Sequence, residues 1–153
     1  MTDAEKELAT QWQARYEAFY RLWPGCFPEK LNPRILELDM ERREMLLGFR
    51  TEDWMVNPMG NVHGGILASM VDTAAGMLSK ALIASWDGSP TVHLSINYLR
   101  PVALNRDLLL RASCQKAGRF LNYTSCTACY PERPDQALFT AECVYFAAAG
   151  RAV

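Results

Sequence analysis

Apolar residues recur along this chain in two rhythms, and the changes between them mark out its elements. Leu8, Trp12, Phe19 and Leu22 fall near one helical stripe, and Thr2 with Glu5 has capping-box spacing, so the chain opens with a helix that Trp23-Pro24-Gly25 ends. Arg34–Met40 and Glu44–Thr51 read as two short strands around a charged turn at Glu41, Arg42 and Arg43. From His63 to about Ala84 the helical period returns through Leu67, Met70, Val71, Ala74, Met77, Leu78 and Ala81. Gly64 and Gly65 suit a tight turn at its start, and Asp87-Gly88-Ser89-Pro90 closes the loop behind it. Val92, Leu94, Ile96 and Tyr98 then alternate with His93, Ser95 and Asn97 until Arg100-Pro101. Asp107–Lys116, Phe120–Tyr130 and Gln136–Ala147 are three further strands, reversed at Ala117-Gly118-Arg119 and at Pro131–Asp135. The order is helix, two strands, long helix, four strands. With no repeat or linker, residues 1–153 are expected to form a single domain.

Composition narrows the classes. Half the residues are apolar and 22% are charged, which excludes disorder and collagen-like repetition. A net charge of −1 lacks the positive field that a nucleic-acid partner requires. The cysteines number five, and Met1–Glu7 is polar without a signal-type apolar core, so reduced thiols in a cytoplasmic protein are expected. The long helix could match a bilayer in length, but Asp72 and Lys80 lie within it and the strands alternate as in water, so no membrane span is expected. A helix apolar nearly all round is one that a sheet wraps. The aromatic stripe of the first helix docks on the domain or on a partner chain.

Candidate chemistry collects at the start of the long helix. Asn57-Pro58-Met59-Gly60-Asn61-Val62-His63-Gly64-Gly65 runs directly into it. A helix start leaves backbone N–H groups without internal partners, and glycine lets a ligand oxygen approach them, which suits a developing oxyanion. A plain tight turn is the alternative. Asp72 is the one acid between His63 and Ser79, in a run of apolar and small residues where an unpaired charge is costly. Either it serves a reaction, or it caps a helix that starts later, or it bonds locally to backbone. Gly64 and Asp72 are eight residues apart, about 12 Å of rise on one helix, so one reacting carbonyl cannot meet both from the same chain. If both act on one substrate, two antiparallel helices of a two-fold dimer must supply them. Cys126 and Cys129 have metal-type spacing, but positions three apart in a strand face opposite ways, so no metal is expected. His93 reads as a surface or interface residue.

His63-Gly64-Gly65 at a helix start, Asn57 six residues before that histidine and Asp72 eight after Gly64 resemble the hotdog-fold acyl-CoA thioesterases of the PaaI-like group. The run Asp72 to Gly76, the strand end Asn97-Tyr98-Leu99-Arg100-Pro101 and the turn Lys116-Ala117-Gly118-Arg119 are similar to that family as well. The resemblance covers about residues 33–148 and leaves 1–30 as a helical extension. It implies an α+β hotdog fold, an antiparallel sheet wrapped around a long central helix, dimerised edge to edge and often paired again as a tetramer. It further implies that the Gly64 N–H polarises the thioester carbonyl and that Asn57 holds this carbonyl or the attacking water. Asp72 of the partner chain would be general base or nucleophile, Thr91 would orient water, and His63 would brace the loop. Gly65, Arg100, Lys116 and Arg119 would meet the CoA moiety, which belongs to the substrate, so no cofactor is implied. A thioester is already activated, so an oxyanion site and one carboxylate suffice, and the chain has no Gly-x-Ser-x-Gly elbow. A non-catalytic acyl-CoA or aromatic-ligand binder on the same fold is the alternative. A dehydratase or hydratase would need a histidine on the helix, and none follows Gly65 there.

Overall fold

The computed structural model describes residues 2–84 and 89–147. Helix α1 spans Asp3–Tyr20, and its start is the anticipated capping box: Thr2 Oγ1 accepts from the Glu5 N–H at 3.3 Å while the Glu5 carboxylate accepts from the Thr2 N–H at 2.5 Å. The buried stripe of α1 is Ala9, Trp12 and Tyr16, shifted from the expected one; Leu22 lies beyond the helix and is 71% exposed. The shift has a polar accompaniment, since the Tyr16 hydroxyl, carried into the core with its ring, donates to the Pro28 carbonyl at 2.8 Å. Pro28 belongs to a short helix, α2 (Phe27–Leu31), which the periodicity does not reveal and which closes on Asn32 in the left-handed conformation.

Strands β1 (Arg34–Asp39) and β2 (Glu44–Arg50) lead through a single 3₁₀ turn at Asp53–Met55 to helix α3 (Gly64–Leu82). Strands β3 (Thr91–Tyr98), β4 (Asp107–Ala117), β5 (Leu121–Cys129) and β6 (Phe139–Phe146) follow. They form one antiparallel six-stranded sheet in the order β1-β2-β4-β5-β6-β3. All seven apolar positions of the α3 stripe are buried, against inward side chains such as Phe49, Leu110, Phe139 and Tyr145. This is the hotdog architecture. Among the described residues, no helix is long and apolar enough to cross a membrane.

The two sheet edges differ. Along β1 runs α1, whose Gln13 carboxamide donates to Pro33 O at 3.3 Å and accepts from the Ile35 N–H at 2.9 Å, so this side chain occupies strand-edge groups. Among the described residues, strand β3 pairs only with β6 and leaves its other edge open. A register shift between Thr91 and His93 breaks the expected alternation there, turning Thr91 toward α3 and leaving Val92 58% exposed. Of the loop expected at 87–90, Asp87 and Gly88 lie outside the described residues, as does 148. Ser89 is buried against Ser79, with Oγ atoms 2.7 Å apart, and Asn122 donates to Ser79 Oγ at 3.0 Å, which ties the approach to β3 onto α3 and β5.

Candidate active site

The loop before α3 is built by the residues that the sequence marks. The Asn57 carboxamide oxygen accepts from the N–H groups of Met59 at 2.8 Å and Asn61 at 3.1 Å, and Gly60 takes φ +79°, where a side chain would be strained. The base of the loop is fastened by Val62 N–H to Val102 O at 2.8 Å and His63 N–H to Met55 O at 2.7 Å. His63 is the N-cap of α3: its Nδ1 accepts from the Gly65 N–H at 2.9 Å. The Gly65 donor is therefore satisfied internally, and what Gly65 offers a ligand is room. Among the described residues, the Gly64 N–H meets no acceptor. The Gly64 carbonyl, by contrast, accepts from the Tyr98 hydroxyl at 2.7 Å, and a Cβ at Gly64 would stand 3.2 Å from that ring. Asn57, Gly64, Tyr98 and Arg100 line a cavity of about 370 Å³ with Met59, Leu67 and Leu99.

Asp72 opens elsewhere. Two turns along α3 it lines a separate cavity of about 140 Å³ with Thr91, Tyr145, Lys80, Tyr20 and Pro28. Its Oδ1 accepts from Thr91 Oγ1 at 2.6 Å and from the Tyr145 hydroxyl at 2.9 Å. Asp72 lies in mid-helix and bonds to side chains of two strands, so it is not the cap of a later helix. Burial raises the Tyr145 hydroxyl well above the ordinary tyrosine range, with the Asp72 charge acting in the same direction. Tyr20 is also raised, by burial first, then by Cys26 and Asp72.

The cations divide between the two ends. Arg100 sits by Gly64 and donates to Ala137 O at 2.5 Å. Through the ladder, Thr91 pairs with Tyr145, Tyr145 with Asn122 and Asn122 with Ala117, so the Lys116–Arg119 turn belongs to the Asp72 end. There Lys116 lies 5.9 Å from the Tyr123 ring and Arg119 5.1 Å from the Phe120 ring. One chain thus brings Asp72 and Thr91 together, and separately Gly64, Asn57 and Arg100; it does not join the two groups. A third cleft, lined by Glu5, Glu37, Asp39, Arg42, Glu44 and Arg111, is larger than the Asp72 cavity at about 290 Å³ but consists of surface ion pairs remote from both. Among the described residues, no three metal-ligating side chains cluster.

Tyr98 lies within the strand-end motif but its bond to Gly64 is not read from the sequence, and Tyr145 lies outside every motif. A signal for Tyr145 is present in the strand parity: it follows Phe139, Ala141 and Cys143 on the inward face, where a buried phenol needs a partner.

A model of the thioesterase superfamily matches residues 59–130, from the loop before α3 through β5. Acyl-coenzyme A thioesterase 13 of Homo sapiens is 31% identical over 99 residues, 63% of this chain and 69% of that protein. The PaaI protein of the E. coli phenylacetic acid degradation operon superimposes with a TM-score of 0.75 at 17% identity, over 94% of this chain and 97% of its own. A hypothetical thioesterase protein of Streptococcus pneumoniae, solved with coenzyme A, gives 0.68 at 22% identity, over 79% of this chain and 92% of its own.

Proposed function

The chain belongs to the thioesterase superfamily, and on that premise we propose that it hydrolyses the thioester of an acyl-CoA to the free acid and CoA at a site shared between two copies of itself. One observation carries this reading: the unsatisfied Gly64 donor and the Asp72 carboxylate lie on one helix yet face separate cavities, while the open β3 edge runs from the Asp72 end to the Gly64 end. Antiparallel pairing of that edge with its copy sets the Thr91 end of one strand beside the Tyr98 end of the other. The partner's Asp72 then approaches Gly64, and a two-fold axis makes two equivalent sites. Lys116 and Arg119 of the partner subunit come toward Arg100 in the same movement, which gathers cations for the CoA phosphates.

The steps require little machinery. The thioester carbonyl oxygen accepts from the Gly64 N–H at the positive end of the α3 dipole, with the Asn57 NH₂ beside it. Asp72 takes one proton from a water held by Thr91 as the water oxygen bonds to the carbonyl carbon. The tetrahedral intermediate collapses, the C–S bond breaks, and CoA leaves as a thiolate that takes up a proton. Asp72 as a nucleophile, forming a mixed anhydride that water then opens, uses the same atoms. Human acyl-coenzyme A thioesterase 13 supports the reaction by its name, and the pneumococcal structure supports the ligand by its bound coenzyme A.

Thiol release from short, long and aromatic acyl-CoAs tests the proposal. Turnover that Asp72→Asn lowers by roughly 10²–10⁴ is the expected result. No turnover with any of them, alongside a melting temperature that the ligands raise, would assign the chain to binding instead.

A further inference from the structure

The two oxygens of Asp72 are not equivalent. Oδ1 receives two hydroxyl donors, Thr91 at 2.6 Å and Tyr145 at 2.9 Å, whereas Oδ2 has no donor among the described residues. The Tyr145 hydroxyl has a single proton and also stands 2.9 Å from the Asp72 backbone carbonyl, so its bond is shared between that carbonyl and Oδ1 and ties the side chain to its own backbone. Tyr145 itself is 1% exposed, and burial keeps its hydroxyl protonated, so it remains a donor throughout the working pH range. Gly76, one turn beyond Asp72, admits the ring: a Cβ there would sit 3.3 Å from Tyr145 Cε1. A glycine in mid-helix weakens the helix, and here it leaves space for the phenol to reach the acid.

We propose that Tyr145 is a positioning residue which, with Thr91, holds Oδ1 of Asp72 as an anchored oxygen and thereby commits Oδ2 to engage the attacking water or the thioester carbon. The inference rests on Asp72 being the acid of the reaction and adds which of its atoms reacts and what selects that atom. An oxygen that already accepts two hydrogen bonds is the poorer base of the pair, and two donors on one side stop the carboxylate from exchanging its oxygens.

Tyr145→Phe removes the donor and keeps the ring. The expected result is a roughly tenfold to hundredfold fall in kcat with KM and melting temperature close to wild type. In an Asp72→Asn background the same change should have no further effect on residual turnover, because the reactive oxygen that the anchoring commits, Oδ2, has become an amide NH₂. Wild-type kcat in Tyr145→Phe, or an equal proportional loss in both backgrounds, would overturn the inference while leaving the role of Asp72 standing; full activity in Asp72→Asn would instead remove that role. A crystal structure of the wild-type protein with a non-hydrolysable acyl-CoA thioether decides the matter independently of how the variant folds. A water or the carbonyl carbon against Oδ2 supports the assignment, and either of them against Oδ1 refutes it.

Discussion

The Gly64 N–H and the Asp72 carboxylate stand two turns apart on α3 and face different cavities of the same chain. The separation of about 12 Å follows from helix rise alone, so no rotamer of Asp72 brings the two onto one carbonyl. Each end is also held in place: Gly64 by the Tyr98 hydroxyl, Asp72 by Thr91 and Tyr145.

On the proposed mechanism, replacing Asp72 with Asn keeps the shape and removes the base. Turnover measured by thiol release should fall by roughly 10²–10⁴, the usual worth of a positioned base, while the melting temperature stays near wild type. Hydrolysis at the wild-type rate would contradict the assignment.

Two disabled chains should repair each other. In Gly64→Val the new side chain crowds the Tyr98 ring and blocks the donor. Mixed with Asp72→Asn by co-refolding, each heterodimer has one site with both defects and one with neither, so about a quarter of wild-type activity should return. A mixture as inactive as its parents would place the whole site within one chain.

The β4–β5 turn should tolerate little. A Cβ at Gly118 would lie 2.7 Å from the Leu121 carbonyl oxygen, which is backbone and cannot rotate aside. Gly118→Ala should destabilise by about 1–3 kcal/mol in urea titration, as overpacking does. An unchanged midpoint would mean that the turn relaxes freely.

Thiol chemistry should report the fold. Burial, followed by the Asp72 charge, pushes the Cys143 thiol up to about 11, and burial raises Cys126 as well. A maleimide at pH 8 should label the half-buried Cys26 and Cys129 first and reach Cys126 and Cys143 only in denaturant. Unfolded thiols ionise near 9 while Cys143 keeps its proton to about 11, so the folded state holds more protons in that window and stability should decline as pH rises through it. Denaturant midpoints that are flat from pH 8.5 to 11 would disagree.

Much of this arrangement was legible in the sequence. The α3 stripe, the Thr2–Glu5 cap and the succession of the long helices and the strands along the chain all follow from period and spacing, because each is a local rule applied to adjacent residues. The spacing of Gly64 and Asp72 carried over directly, since helix rise is invariant. What period could not give was contact between distant segments. The stripe of α1 shifted, with Tyr16 finding an acceptor at Pro28, and Thr91 met Asp72 through a register shift that no alternation announces. Gln13, a polar residue on a helix, carried no mark of its place against β1. Tyr145 was hidden for the same reason, 73 positions from the carboxylate it touches.

The carboxamide of Gln13, seated against Pro33 and Ile35, has a consequence for how copies of this molecule add to one another. A sheet stoppered along one flank can be extended only from the other. Among the described residues, a pair joined as proposed through the bare flank would therefore use up the open end of each participant, and strand addition would not run on into a ribbon.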